Sequence, residues 1–464
     1  MFPEPEMLDK KTWEHGAFMR MAPLLGVGRL NLDKRPDGAI LKASGIFPKE
    51  PMITETMWRD ICLYYLETAP VKTPPQGPRS KIQNGLPHFK AHPLRYPGAT
   101  PQTSMVQIDP VAKRIYVGNA GARTLDILNA AGELISRVPV ESPPVSITVR
   151  PDGLYVTLIG NLLPSDEKNG QVVLLKKDGQ GYKSKVLLQH LQRPASALFA
   201  DLNGDGREDI AVCEFGNYLG RFSWFENRGG SEYTEHPLIE LPGALNSCVC
   251  GAGAGGLPNL VVLMAQGREG IHFFQNLGAG DFQDEVVTNF PPVYGSSHIE
   301  VADINGDGFP DLLVTCGDNG EYPSPFKNYH GIRIFLNDGH NRFSLAWFFP
   351  MNGAYKALAR DFNRNGHLDI AAISYFPDYN KSPDESFVYL RNKGGFSYEA
   401  FSLPECTSGR WIAMDAGDLK GDGCQDIVLG SLPAGPKSIP IPDALQMAWH
   451  TNGFSVLLLE NQRN

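Results

Sequence analysis

From about residue 75 onward the chain alternates apolar and polar positions over four to eight residues at a time, between turns rich in Gly, Asn and Asp. A period of two bounded by such turns predicts antiparallel strands. Upstream the period is helical. The stretch TETMWRDICLYYLETAP puts Met57, Ile61, Tyr64 and Tyr65 at helical spacing and stops at Pro70, with a second helix before it. VKTPPQGPRSK reads as a linker. The pattern divides the chain into a helical extension over 1–75, a linker over 76–85 and a strand-rich domain over 86–464.

The strand-rich part repeats itself. DLNGDGREDIAV, DINGDGFPDLLV, DFNRNGHLDIAA and DLKGDGCQDIVL are copies of one acidic motif. Their last aspartates are Asp209, Asp311, Asp369 and Asp426, and AGAGGLPNLVVLM supplies Asn259 as a fifth marker in a copy that has lost its acids. Successive markers lie 50, 52, 58 and 57 residues apart. Two shorter copies start at Ile108 and Val149, which makes seven units. A second echo ends a strand in each later unit: WFENRGG, FFQNLGAG, IFLNDGH and YLRNKGG. Units of this length with four short strands each predict an all-β, seven-bladed β-propeller with a small α-helical N-terminal extension. The last unit ends at VLLLENQRN, one strand short, so Leu86–Tyr96 is expected to supply the missing strand and close the ring.

The acidic motif has its own chemistry. Carboxylates or amides at positions 1, 3, 5 and 9, a carbonyl at 7 and a glycine at 6 are hard oxygen donors around a sharp bend, which suits Ca²⁺. Here the sequence resembles the calcium-binding FG-GAP/VCBS repeats of integrin-like propellers, over roughly residues 86–464. The expected metal loops use Asp201, Asn203, Asp205, Arg207 and Asp209; Asp303, Asn305, Asp307, Phe309 and Asp311; and Asp361, Asn363, Asn365, His367 and Asp369. The last set has one charge fewer and should bind more weakly. Two to three structural Ca²⁺ sites are therefore expected. In the fourth loop Asp418, Asp422 and Asp426 remain, but Lys420 replaces the amide; the expectation there is an internal ion cluster in place of a metal.

In the fold that this resemblance implies, the calcium loops lie on one face, and the other face gathers residues distant in sequence. Arg193, Asn246, His298, Tyr355, Lys356 and Arg410 come from the lead-ins to the innermost strands. Glu214, Gln266, Asp318, Asn319, Lys327, Tyr329 and His330 come from loops after the second strands, and long inserts follow in the last two blades. Such a rim suits a glycan or protein ligand. An alternative is a polysaccharide lyase acting on uronic acids, with His298, Tyr329, His330, Lys356 and Arg410 as its acid, base and charge-neutralising groups.

Composition narrows the field. The net charge of −9 argues against a nucleic-acid partner, and no apolar run is long enough to span a membrane. The seven cysteines include no CxxC, so neither a zinc knuckle nor a thiol redox motif is readable. The start carries no export signal, yet weak calcium loops stay filled only at millimolar Ca²⁺, which favours a periplasmic or extracellular protein whose signal has been removed. FPEPEMLDKKTWE, Met21, Trp58, Tyr64, Tyr65 and Pro70 are similar to a truncated cytochrome-c-type module. That likeness implies a haem-protein partner. Covalent haem needs CxxCH, which this sequence lacks, so no haem is expected in the chain.

Overall fold

The computed structural model describes residues 3–94, 101–320, 325–436, 438–451 and 453–462. Arg95 and Tyr96 of the expected closing strand, residues 321–324 and Lys437 of the inserts, and the last two residues lie outside them.

Seven antiparallel sheets of four strands form the β-propeller. Blades 1 to 6 start with the innermost strands Thr103–Asp109, Pro144–Arg150, Pro194–Ala200, Ala244–Ala252, Ser296–Ala302 and Ala354–Arg360, and each runs outward in sequence order. Blade 7 takes Trp411–Gly417, Asp426–Ser431 and Val456–Asn461 from the end of the chain. Its outermost strand is Phe89–Leu94, paired antiparallel to Val456–Asn461 from Phe89 opposite Asn461 to Leu94 opposite Val456. The ring is thus locked by a strand from its other end, and blade 7 gains the fourth strand that its own end of the chain lacks.

Innermost strands touch their neighbours all the way round, including blade 7 against blade 1. Apolar side chains fill the wedges between blades. Leu313, Ile332 and Ile334 of blade 5 pack on Ala357, Ile370 and Val388 of blade 6, and Val428, Val456 and Leu458 of blade 7 pack on Val106, Ile115 and Val117 of blade 1. All seven innermost strands carry a bulge just after their first paired residue. That shared irregularity keeps equivalent residues at one level around the axis.

The helical extension is packed onto the propeller. Glu55–Thr68 is capped by Thr54, whose hydroxyl accepts from the Met57 N–H at 3.1 Å. Its inward face differs from the expected stripe. Ile61 and Tyr65 point in beside Trp58, Cys62 and Leu66, onto Trp13, Phe18 and Val293, whereas Met57 and Tyr64 are 52% and 56% exposed. The residues 58, 61, 62, 65 and 66 keep helical spacing, so the stripe is rotated by one position. The linker is pinned as well. Thr73 donates to the Phe326 carbonyl at 2.7 Å, Arg79 pairs with Glu385, and Gln83–Asn84 adds a fifth, parallel strand to blade 6.

Candidate functional site

Each acidic loop joins an innermost strand to the second strand of its blade, so all four lie on one face of the disc. In blade 3 the carboxylate of Asp201 accepts from the N–H groups of Gly204 (2.7 Å) and Gly206 (2.9 Å). Asn203 accepts from Asp205 N–H, and Asp205 from Arg207 N–H. Gly206 sits at φ +81°, the left-handed bend that the motif's glycine permits. Blade 5 repeats this wrapping: Asp303 takes Gly306, Asp307 and Gly308 N–H, Asn305 takes Asp307 N–H, and Asp307 takes Phe309 N–H. In blade 6 Asp361 takes Asn365 and Gly366, and Asn365 takes His367. Asn363 reaches Asp369 at 3.2 Å.

The ninth position is the anchor. Asp209, Asp311 and Asp369 are fully buried. Asp209 accepts from Leu202 N–H and Asn227 N–H, and Asp311 from Ile304 N–H and Asn337 N–H. Asp369 accepts from Asn392 N–H and the Tyr389 hydroxyl. Burial raises the pKa of all three; these donors oppose it, and loop carboxylates add repulsion, Asp205 and Asp201 on Asp209, Asp307 on Asp311 and Asp361 on Asp369.

The second echo finds its reason here. Asn227, Asn276, Asn337, Asn392 and Asn461 each give their N–H to position nine of the loop and their amide to the carbonyl just before it. Asn259 stands in for the aspartate, accepting Asn276 N–H at 2.9 Å.

Blade 7 departs from the expected cluster. Asp418 takes Gly421, Asp422 and Gly423 N–H as its sisters do. The Lys420 ammonium, however, pairs with Glu460 on the adjacent strand. Its charge still favours the ionised forms of Asp422 and Asp426, although burial pushes Asp426 up to about 6. Two more cations crown the loop from neighbouring blades: Lys113 on the Lys420 carbonyl (2.6 Å), and Arg364 on the Asp422 (3.0 Å) and Gly423 (3.1 Å) carbonyls. Beside the blade 6 loop an open cleft of about 390 Å³ is lined by His88, Asn363, Asn365, His367, Arg391, Asn392 and Lys393.

The opposite face holds the other candidate residues, but not as an open funnel. Arg410 is fully buried, donating to the carbonyls of Tyr375 (3.2 Å) and Pro436 (2.9 Å) and lying 3.9 Å over the Tyr375 ring. Arg193 binds the carbonyls of Asn161, Leu162 and Gly216. Lys327, also fully buried, donates to Val293 at 3.0 Å. Tyr329 donates to the Met7 carbonyl of the extension at 3.0 Å and stacks on Tyr294. His330 is buried beneath the linker, its carbonyl accepting from Gln76. Asn319 is buried and donates to Pro325, Asp318 is exposed, and Gln266 sits half-buried in a turn at φ +64°. Glu214 is buried, accepts Gln192 N–H, and burial pushes it up to about 7.

These residues hold the inserts and the extension together. Of the five lyase candidates, Arg410 is committed to packing the inserts, Tyr329 and His330 meet edge to face at 5.7 Å beneath the extension and linker, and the charge of Lys356 acts on His298 from the innermost strand of the next blade. The expected acid–base constellation is not assembled. Sequence reasoning missed the residues that seat the cap. Asp166, fully buried, takes the N–H groups of Asn217, Tyr218 and Leu219 and gives its own to Asp37. Its only signal was an acid in an otherwise turn-like insert.

The family profile described as FG-GAP-like repeat matches residues 256–314 and 361–429, which contain the loops of blades 5, 6 and 7 but not that of blade 3. No curated protein sequence matches. Among solved structures, hydrazine synthase from Kuenenia stuttgartiensis is similar at 12% identity and a TM-score of 0.45, over 72% of this chain and 93% of that one. The Cps50 (Swd1) β-propeller domain from Myceliophteria thermophila gives 11%, 0.49, 81% and 100%. Sqt1 from Saccharomyces cerevisiae gives 7%, 0.47, 83% and 100%. At these values the likenesses carry no functional argument. What identifies the chain is the repeat itself, in register from blade to blade: it is a seven-bladed β-propeller that carries FG-GAP-like repeats.

Proposed function

We propose that the chain is a calcium-stabilised recognition module that works outside the cytoplasm and binds a glycan or protein ligand on the face opposite the acidic loops. The carrying observation is the convergence of like charges. Asp205 and Asp201 act repulsively on the buried Asp209, and Asp307 on the buried Asp311, in loops whose backbone N–H groups are already turned inward.

Among the described residues no three His, Cys, Asp or Glu side chains form a preassembled metal cage. The donor set nevertheless fits a hard divalent cation. The motif side chains all carry oxygen donors, and although Asn203 and Arg207 donate to Asp205 and Asn305 donates to Asp307, a carboxylate oxygen that accepts one N–H keeps a second lone pair. Residues 201, 203, 205, 207 and 209, and their counterparts in blades 5 and 6, would hold the ion, which supplies charge neutralisation only. Blade 7 uses the protein's own cations, Lys420, Lys113 and Arg364, for the same purpose. Loops of this kind fill at the calcium levels found outside the cytoplasm.

The ligand face is then the surface left by the cap and the inserts. Because the lyase candidates are dispersed, binding without bond cleavage is the reading that the geometry favours. Incubation with a panel of uronic-acid polysaccharides tests it. Retention of one glycan, with no unsaturated product absorbing near 235 nm, is expected; steady formation of that product contradicts it.

A further inference from the structure

The shared bulge puts Asn246, His298 and Lys356 at one level of the innermost strands, in three consecutive blades. Elsewhere on this inner wall short side chains tie one blade to the next. Ser196 donates to the Leu245 carbonyl at 3.2 Å, and Ser104 to the Pro144 carbonyl at 2.6 Å. One level deeper, Glu300 is held by Ala359 N–H (2.7 Å) and Arg360 (2.6 Å), and Asp415 by Ile108 N–H (2.7 Å) and Gln107 (2.9 Å).

Both carboxylates that act on Lys356 are thus satisfied by other donors. The Lys356 ammonium makes no ion pair and no hydrogen bond among the described residues, and the buried Nδ1 of His298 has no partner there. Burial, then the charges of Lys356 and Arg360, keep that imidazole neutral. Among the described residues the Asn246 side chain is hydrogen-bonded only through its Oδ1, by the Cys248 thiol at 3.8 Å, which leaves its amide N–H groups to donate. An ammonium, an amide and a neutral imidazole on one half-buried wall form a donor set for a small anion. On the loop face the ring is covered by an apolar cluster that joins Leu162 of blade 2, Phe326 of blade 5 and Tyr355 of blade 6.

We propose that Asn246, His298 and Lys356 form an oxyanion-binding site inside the central channel, taking a carboxylate, sulfate or phosphate group. The site stands apart from the calcium loops and from the ligand face. Calorimetric titration of the full chain in EDTA, with inorganic phosphate, inorganic sulfate and a uronate trisaccharide in separate arms, tests it. Saturation by a free ion identifies an ion site; saturation by the trisaccharide alone identifies an acid group carried on a sugar. In either case Lys356→Gln weakens binding by about tenfold or more, and Lys356→Arg restores part of it. If Lys356→Gln does not fold, Asn246→Ala reads the same loss. Absence of binding in all three arms, or affinity unchanged in both variants that fold, overturns the proposal.

Discussion

The echo asparagines show how much one side chain can settle. Asn276 is fully buried, donates to the carbonyls of Leu202 (2.9 Å) and Pro258 (3.2 Å), and accepts from Gly278 N–H. Asn276→Ala leaves two carbonyls and one N–H without partners, at a cost of about 2–4 kcal/mol in denaturant unfolding; a loss below about 0.5 kcal/mol would mean that water replaces the amide freely. Glu269 makes a second residue-scale test. It is buried and accepts from Gly295 and Ser296 N–H, yet burial pushes its carboxyl up to about 7 from an ordinary 4.5, against those donors and Lys327. An acid with a raised folded pKa contributes stability that is complete below the unfolded value and is lost as pH rises through the folded one. Stability is therefore predicted to fall between about pH 4.5 and 7, by on the order of 2–3 kcal/mol from this group. The profile of Glu269→Gln should lack that slope, and an identical slope in both would remove Glu269 as its source.

At the scale of the element, the loop and its facing strand act as one unit, and blade 7 shows what happens when both change together. Lys420 at position three is matched by Glu460 just before the echo asparagine; in blade 3 the same two places hold Asn203 and Glu226, 3.3 Å apart. Lys420→Asn removes the cation and leaves Glu460 facing only His92, 3.0 Å away. The variant is expected to melt lower than the parent in EDTA and to regain the difference in millimolar calcium; equal loss with and without calcium would show that the lysine only packs. The strands, the glycine bends, the position-nine anchors and the exchanged closing strand were legible, because each leaves a local mark in composition or period. Helix Asp443–Thr451 was not, since its buried Trp449 pairs with the distant Thr407 carbonyl and nothing nearby announces it. The Lys420–Glu460 pair was hidden for the same reason: its partners meet only through strand pairing. Which candidate residues of the opposite face are tied up in the fold was not legible, because a list of polar loop residues says nothing about which carbonyls those residues will bind.

For the whole molecule, closure and capping come from the same stretch of chain. Removing residues 1–94 deletes the outer strand of blade 7 together with Leu94, which packs in the wedge between blades 7 and 1. Such a truncation is expected to aggregate or lose cooperative unfolding. Removing only 1–70 keeps the closing strand and should leave a folded ring, less stable by the aromatic cluster of Trp13, Phe18 and Tyr65 on Val293. The account as a whole rests on cations bracing the loops of blades 3, 5 and 6, and the melting temperature of the full chain in EDTA against a calcium titration tests this most directly. It should rise saturably by about 5–10 °C, with the rise cut in Asp303→Ala. A melting temperature that does not move with calcium would contradict it.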